Sequence, residues 1–292
     1  MILKSSFSHR NKEPESGVLY IVGTPIGNLN DISLRALNIL KKVSVIACED
    51  TRETKKILNK FEIRNNLISF NQHNSKKKID TIISYLDEGK ALALVSDAGL
   101  PGISDPGEDL IYILKKKGYE TICIPGPSAV TTALVSSGFP SSKFIFEGFL
   151  PKKKIQREQI LFEISKSKKT TILFESPHRL IKLLKELENY CGGSREILVT
   201  KELTKRFEEH IGPNISAALN FFENKKILGE FTIVIKGIDK NIKSELNKLE
   251  LQQELNELIS AGLSYSSASK YLAHKNKISK NFIYNVHNDK KE

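Results

Sequence analysis

Cysteine is scarce: the chain carries three in 292 residues, Cys48, Cys123 and Cys191. They lie far apart, two of them in apolar runs, so neither a disulfide framework nor a CxxC zinc site can be read from them, and a reducing cytoplasm is the compartment expected. Long apolar runs are also missing. No stretch approaches the roughly 18 residues that cross a bilayer, and the opening MILKSSFSHRNKEPESG has no continuous apolar segment of a signal peptide, so no membrane partner is expected. No glycine-rich loop ends in the Lys-Ser/Thr of a phosphate cradle, no GxGxxG opens a helix, and no His/Cys/Asp cluster has ligand spacing. NTPase, dinucleotide and metal-centred readings therefore lose their support. Internal repeats and low-complexity tracts are absent too.

What the chain does have is 39% hydrophobic and 27% charged residues, the composition of an ordinary globular protein rather than a disordered or collagen-like one. Its length suits about two domains of typical size. Lys and Arg number 45 against 34 Asp and Glu, a net +11 that suits an anionic partner such as nucleic acid, with plain solubility as the ordinary alternative.

From Val18 onward short apolar runs alternate with amphipathic segments. VLYIV (18–22), VSVIA (43–47), ALALV (91–95) and TICI (121–124) read as strands, with helices over 31–42 and 51–60. This βα alternation predicts a mostly parallel sheet covered by helices. GFPSSKF (138–144) interrupts the pattern, and a second series follows: strands at FIFEGF (144–149), TTILFE (170–175), REILVT (195–200) and GEFTIVIKG (229–237), helices near 155–166, 178–190 and 215–224. The expected organisation is a mobile extension over 1–16, α/β domains over 17–139 and 140–238, and a helical module without strands over 239–292.

Four loops follow predicted strands, where α/β sheets present ligands. Gly23-Thr24-Pro25-Ile26-Gly27-Asn28 has the ordinary reading of a strand-to-helix turn. In the loop 96–107, Asp105 could N-cap a helix with Pro106 at its first position, which leaves SDAGLPGI unexplained; its glycines suit a backbone that approaches a ligand closely. Pro125-Gly126-Pro127-Ser128-Ala129 is a rigid turn that opens a helix of small residues. In Phe174-Glu175-Ser176-Pro177-His178-Arg179, Ser176 could be a cap with Pro177 behind it, yet Glu175 and Arg179 flank a strand end, where a buried pair is costly unless used.

Taken together and in order, GTPIGNLNDISLRAL (23–37), ACEDTRETKKIL (47–58), LVSDAGLPGISDPG (94–107), PGPSAVTTAL (125–134), FEGFLPKKK (146–154), FESPHRL (174–180), ELTK (202–205) and GEF (229–231) resemble the tetrapyrrole methylase-like (class III) S-adenosylmethionine-dependent methyltransferases. The resemblance spans roughly 17–237, and the tail looks like the helix-turn-helix-like extension of some members. One departure is Leu100, where Thr is the usual residue of the DAGTP pattern. The resemblance implies two α/β domains with the cofactor cleft between them, a homodimer, and 2'-O-methylation of a decoding-region cytidine of 16S rRNA in the 30S subunit, without a metal. It implies cofactor contacts on Pro25 and Ile26, on Asp97, Gly99, Leu100, Pro101 and Ile103, on Ser128 and Ala129, and on Phe174 and Glu175, with Asp97 and Asp105 as the nearby carboxylates.

Transfer from a sulfonium methyl is an in-line displacement, so the protein must align donor carbon with acceptor oxygen and exclude water. A ribose hydroxyl is a poor nucleophile, so a base or a cation beside the developing alkoxide should help; Glu175, Arg179 and Lys205 are the candidates, with Lys201. The segment 141–170 holds eight Lys and Arg against three Glu, including Lys152, Lys153, Lys154 and Arg157, and is the expected RNA contact, with a solvated face as the ordinary reading. The tail over 261–292 adds six Lys that could bind RNA or merely cap the fold. Among His73, His178 and His210, His178 follows the helix-opening Pro177 and reads as a capping-turn residue more readily than as a base, and CEDTRET (48–54) reads either as a substrate contact or as a helix start capped by Asp50 or Thr51. Two other functions fit less of the pattern: methylation of a small tetrapyrrole, which needs no lysine cluster, and a basic RNA-binding protein without catalysis.

Overall fold

The computed structural model of the chain describes residues 12–72, 74–223, 225–238, 251–276 and 283. The first of its two sheets contains β1 (Leu19–Val22), β2 (Val45–Cys48), β3 (Leu67–Ser69), β4 (Leu92–Val95) and β5 (Thr121–Ile124), ordered β3-β2-β4-β1-β5. Every pairing in it is parallel. Strands β1, β2 and β4 are buried along their length, which is why they read as continuous apolar runs. Helices α1 (Leu34–Lys42), α2 (Thr51–Lys60), α3 (Ser75–Asp87) and α4 (Glu108–Lys116) connect the strands, and α5 (Ala129–Ser137) follows β5. Tyr20, Ile39, Ile46 and Ile57 share one core layer, and Leu19, Ile82, Leu92 and Leu110 another, so successive residues of β1 supply opposite faces.

The second sheet contains β6 (Phe144–Phe149), β7 (Thr170–Glu175), β8 (Ile197–Lys201), β9 (Glu209–Ile211) and β10 (Phe231–Ile235), ordered β6-β7-β10-β8-β9. Only β6 and β7 run parallel. Helices α6 (Lys154–Lys166), α7 (Leu180–Cys191) and α8 (Ile215–Glu223) join Leu161, Leu173, Leu183, Leu219 and Ile233 in one core. Ile172 and Val234 meet Ile26, Val130, Ala133 and Leu134 in another, so α5 packs against the second sheet. In the tail, α9 (251–260) and α10 (Tyr265–Asn276) share a small core of Leu251, Leu255, Ala268 and Leu272. Among the described residues no helix is long and apolar enough to cross a membrane.

The α/β alternation and the strands TICI, FIFEGF and TTILFE stand where the sequence places them. Asp50 caps α2, its carboxylate accepting from the Arg52 amide. Two other caps differ. Helix α4 begins only at Glu108, because Gly107, with φ at 142°, turns the chain just before it, and Asp105 stays in the loop. Ser176 does not cap α7. Its amide donates to Glu175 Oε1 at 2.9 Å, and a turn closed by Arg179 N to Ser176 O, 3.1 Å, precedes the helix. Of the segment expected to be mobile, Glu13 and Ser16 are tied to elements beside the first sheet: Glu13 is buried against Arg35 of α1 at 2.6 Å, and Ser16 Oγ donates to Gly89 O, ahead of β4, at 2.6 Å.

Candidate active site

The loops after β1, β4 and β5 converge. Thr24 and Gly99 exchange backbone hydrogen bonds of 2.8 and 3.1 Å, and the buried Thr24 hydroxyl donates to Ser96 O at 3.2 Å. Gly23 and Gly126 touch backbone to backbone: a Cβ on Gly126 would lie 2.7 Å from the Gly23 Cα, so the first and third loops both require glycine there. Gly99 is demanded by its positive φ of 80° rather than by crowding, since a Cβ there would meet Ile26 at an ordinary 3.6 Å.

Together these loops form one side of a cavity of about 270 Å³, contributed by Ile26, Ala98, Gly99, Leu100, Ile103, Ser104, Asp105, Ser128, Ala129 and Val130. The second sheet supplies the other side: Phe149 at the end of β6, Phe174 and Glu175 at the end of β7, Leu203 after β8, and 229–232 at the start of β10. Because β10 is antiparallel to β7 and β8, its beginning meets their ends. Phe174 packs edge-on to Phe146 with centroids 5.0 Å apart and tilted against Phe149 at 5.7 Å.

Of the expected cofactor contacts, Ile26, Gly99, Leu100, Ile103, Ser128, Ala129, Phe174 and Glu175 line this cavity, whereas Pro25, Asp97 and Pro101 do not. Pro25 and Pro101 are buried in the loops behind it, and the Asp97 carboxylate accepts from the Asp50 amide at 3.0 Å. Sequence reasoning passed over Val130, Ser104 and Ala98 as individual residues. It placed 229–232 only through the GEF segment, since strand order is not written in spacing.

Four carboxylates gather at the ends of β2 and β4. Burial pushes Asp105 up to about 6, with the charges of Glu49 and Asp97 adding and a hydrogen bond from Ser96 opposing. Glu49 and Asp97 are also raised, chiefly by burial. Asp50 is lowered to about 2 by its hydrogen bonds with Arg52. Across the cavity Lys205 Nζ donates to Glu202 and Glu230, each at 2.9 Å. Burial opposes the charge of Lys205, but those bonds outweigh it and raise its pKa. The Asn28 amide donates to Thr204 Oγ1 at 3.1 Å, which ties the first loop to the loop holding Lys205.

Two expected roles are corrected. The Glu175 side chain points away from the cavity: it has the strand parity of Leu173, in the α6–α7 core, not that of Ile172 and Phe174. Its carboxylate lies 3.4 Å from Arg179 Nε and 3.8 Å from an Arg157 nitrogen, and only 2% of the residue is exposed, so it is a member of a buried ion-pair cluster behind the cavity wall. Arg179 itself donates to Leu150 O at 2.7 Å. Arg157, expected on RNA, is 4% exposed and bonded to Glu186 at 2.8 Å, whereas Lys152, Lys153 and Lys154 are exposed. His178 is exposed in the turn before α7, His210 pairs with Glu208 at 2.8 Å, and His73 lies outside the described residues. Among the described residues no group of His, Cys, Asp and Glu is placed to hold a metal ion.

Residues 18–218 match the family of Tetrapyrrole (Corrin/Porphyrin) Methylases. The chain is 49% identical to the ribosomal RNA small subunit methyltransferase I of Thermotoga maritima, over 76% of this chain and 99% of that protein. It is 40% identical to the protein of the same name from Synechocystis, over 92% and 97%, and 38% identical to that of Bacillus subtilis, over 96% and 97%. In fold it resembles a cobalt precorrin-4 methyltransferase, with a TM-score of 0.58 and 19% identity over 75% of this chain and 95% of that one. A uroporphyrin-III-C-methyltransferase of Thermus thermophilus gives 0.55 at 16% identity, over 75% and 94%.

Proposed function

The chain belongs to the tetrapyrrole (corrin/porphyrin) methylase family, within the group of ribosomal RNA small subunit methyltransferase I proteins, and from that premise we propose that it methylates small-subunit ribosomal RNA, using S-adenosylmethionine. In its finer form the proposal is methylation of the 2'-oxygen of a decoding-region cytidine of 16S rRNA in the 30S subunit, by a homodimer in the cytoplasm. The observation that carries it is a cavity walled by both sheets and joined, through Leu150 and Pro151, to three exposed lysines. The tetrapyrrole methylases are alike in fold alone at 16–19% identity, whereas the relatives named for ribosomal RNA reach 49%.

The residues present fit the methyl donor. Helix α5 starts in the cavity wall at Ser128-Ala129-Val130, and Ser128 makes no side-chain cap, so its first amides are free to receive a carboxylate. Ile26, Leu100, Ile103, Phe149, Phe174 and Leu203 offer apolar walls to a purine. When bound, the donor supplies an activated methyl group. The chain's part is to hold donor and acceptor in line, exclude water with its aromatic wall, and bind phosphates through Lys152–Lys154.

The test is calorimetric binding of S-adenosylmethionine together with transfer of a labelled methyl group to undermethylated 30S subunits. Binding with incorporation into the 16S rRNA supports the reading; binding without incorporation contradicts the substrate.

A further inference from the structure

Three residues with carboxylates line the cavity: Asp105, Glu175 and Glu230. Two are already committed. Glu175 turns its carboxylate into the α6–α7 layer toward Arg157 and Arg179, and Glu230 is held by Lys205 at 2.9 Å. Asp105 forms no ion pair with any described residue. Release of Asp105 from the helix cap has a structural cause, since Gly107 takes the cap position and leaves the carboxylate in the loop that walls the cavity. The same loop holds Ser104 at a positive φ of 63°, a backbone strain that non-glycine residues seldom carry and that concentrates at working sites.

We propose that Asp105 is the general base of the transfer, accepting the proton of the ribose 2'-hydroxyl as its oxygen is methylated. The proposal rests on the reading above that the acceptor is a ribose. In the step, the hydroxyl oxygen forms a bond to the methyl carbon. The carbon–sulfur bond breaks with its electron pair left on sulfur as a thioether, and the hydroxyl proton passes to the Asp105 carboxylate. The sulfonium and the carboxylate lose their charges together, so no ion is stranded in an apolar cavity.

The surroundings of Asp105 suit this work. Burial and the facing carboxylates of Glu49 and Asp97 make it a stronger base than a surface aspartate, while it stays ionised at neutral pH. The other charged groups around the cavity are Asp50, paired with Arg52 beyond Asp97, and the Glu202–Lys205–Glu230 set opposite. Lys205 is raised and Asp50 is lowered, so neither changes charge between pH 5 and 8, although Glu49 and Asp97 are both raised. The pH test therefore needs the Asp105 variant rather than the wild-type profile alone.

Asp105→Asn keeps the shape of the side chain and removes the base. Single-turnover transfer to 30S subunits at pH 7 should fall about 100-fold or more. Calorimetric affinity for S-adenosylmethionine should stay within about twofold, and the melting temperature should not drop, both unlike the loss of a structural group. The wild-type rate should rise through a limb near pH 6 that the variant lacks. In the protein without donor or RNA, ¹³C-NMR of aspartate carboxyls should show a resonance titrating near pH 6 that is absent from the variant. A variant with the wild-type rate, a rate loss matched by lost donor affinity, or an Asp105 carboxyl titrating in the ordinary aspartate range would each overturn the assignment. If the wild type methylates rRNA and D105N equals it, the base assignment alone falls; if the wild type leaves rRNA unmethylated, the substrate reading falls and takes the assignment with it.

Discussion

Glu175 and Arg157 approach to 3.8 Å, carboxylate oxygen to guanidinium nitrogen, with both side chains almost wholly buried. The pair links the end of β7 to α6, and Glu186 at 2.6 Å and Arg179 at 3.4 Å extend it onto and beside α7. Two residues of a cleft motif and a basic run are thereby struts behind the cavity wall, and their loss should register first as instability.

Glu175→Gln should lower the free energy of unfolding by about 1 kcal/mol, because Arg157 keeps Glu186 but it and Arg179 lose a buried counter-charge. Urea unfolding measures it. A Gln variant of wild-type stability that has lost single-turnover transfer would return Glu175 to the chemistry.

Reversing Lys152, Lys153 and Lys154 to Glu should weaken RNA binding and lower the slope of log affinity against log salt by about 2, at roughly 0.7 per phosphate contact on single strands. Donor affinity and melting temperature should hold, since the three side chains are exposed. Arg157→Ala should do the reverse, costing stability. An unchanged salt slope in the lysine variant would make that run a solvated surface.

Ala129→Leu places a larger side chain at the start of α5, in the cavity wall. Binding of S-adenosylmethionine should weaken at least about tenfold, the 1.4 kcal/mol scale of one displaced contact, with the fold intact. Calorimetry on a variant shown to melt cooperatively checks it, and equal affinity would move the donor elsewhere.

Asp105 also links stability to pH. Its carboxyl is pushed up to about 6 in the fold, against about 3.9 unfolded. The folded chain therefore binds more protons between those values, so stability falls as pH rises through the window and stays lower above it. Asp105→Asn escapes this loss. At pH 7.5 it should be more stable than wild type by about 1 kcal/mol after discounting for solvent in the open cavity, with the difference vanishing near pH 4. Thermal melts at both pH values decide it; a destabilised variant at pH 7.5 would show Asp105 to be a structural partner.

The runs FIFEGF and TTILFE were legible as strands because β-branched and aromatic residues there are bounded by turn signals. The helical spacing of Ile79, Ile82, Ile83 and Leu86 in α3 is equally legible. The edge strands Leu67–Ser69 and Glu209–Ile211 are three residues each, too short for a periodic signal. Arg157 could have been withdrawn from the RNA face, since it shares the buried stripe of Leu161 and Ile164 along α6. Glu175 could likewise have been turned inward by its parity with Leu173. The insertion of β10 between β7 and β8 has no local signal, because it depends on which strands pair across the chain, and it is this that brings 229–232 to the cavity.

The central claim is methylation of a ribose, and the position of the label on the RNA tests it most directly. A methyl group on the 2'-oxygen blocks the cyclisation through which alkali cleaves RNA. After transfer from labelled donor to 30S subunits and alkaline digestion of the 16S rRNA, the label should appear in an alkali-stable dinucleotide beginning with cytidine, from the decoding region. Label recovered in mononucleotides, which would mean a methylated base, or no label in the rRNA at all, would contradict the account.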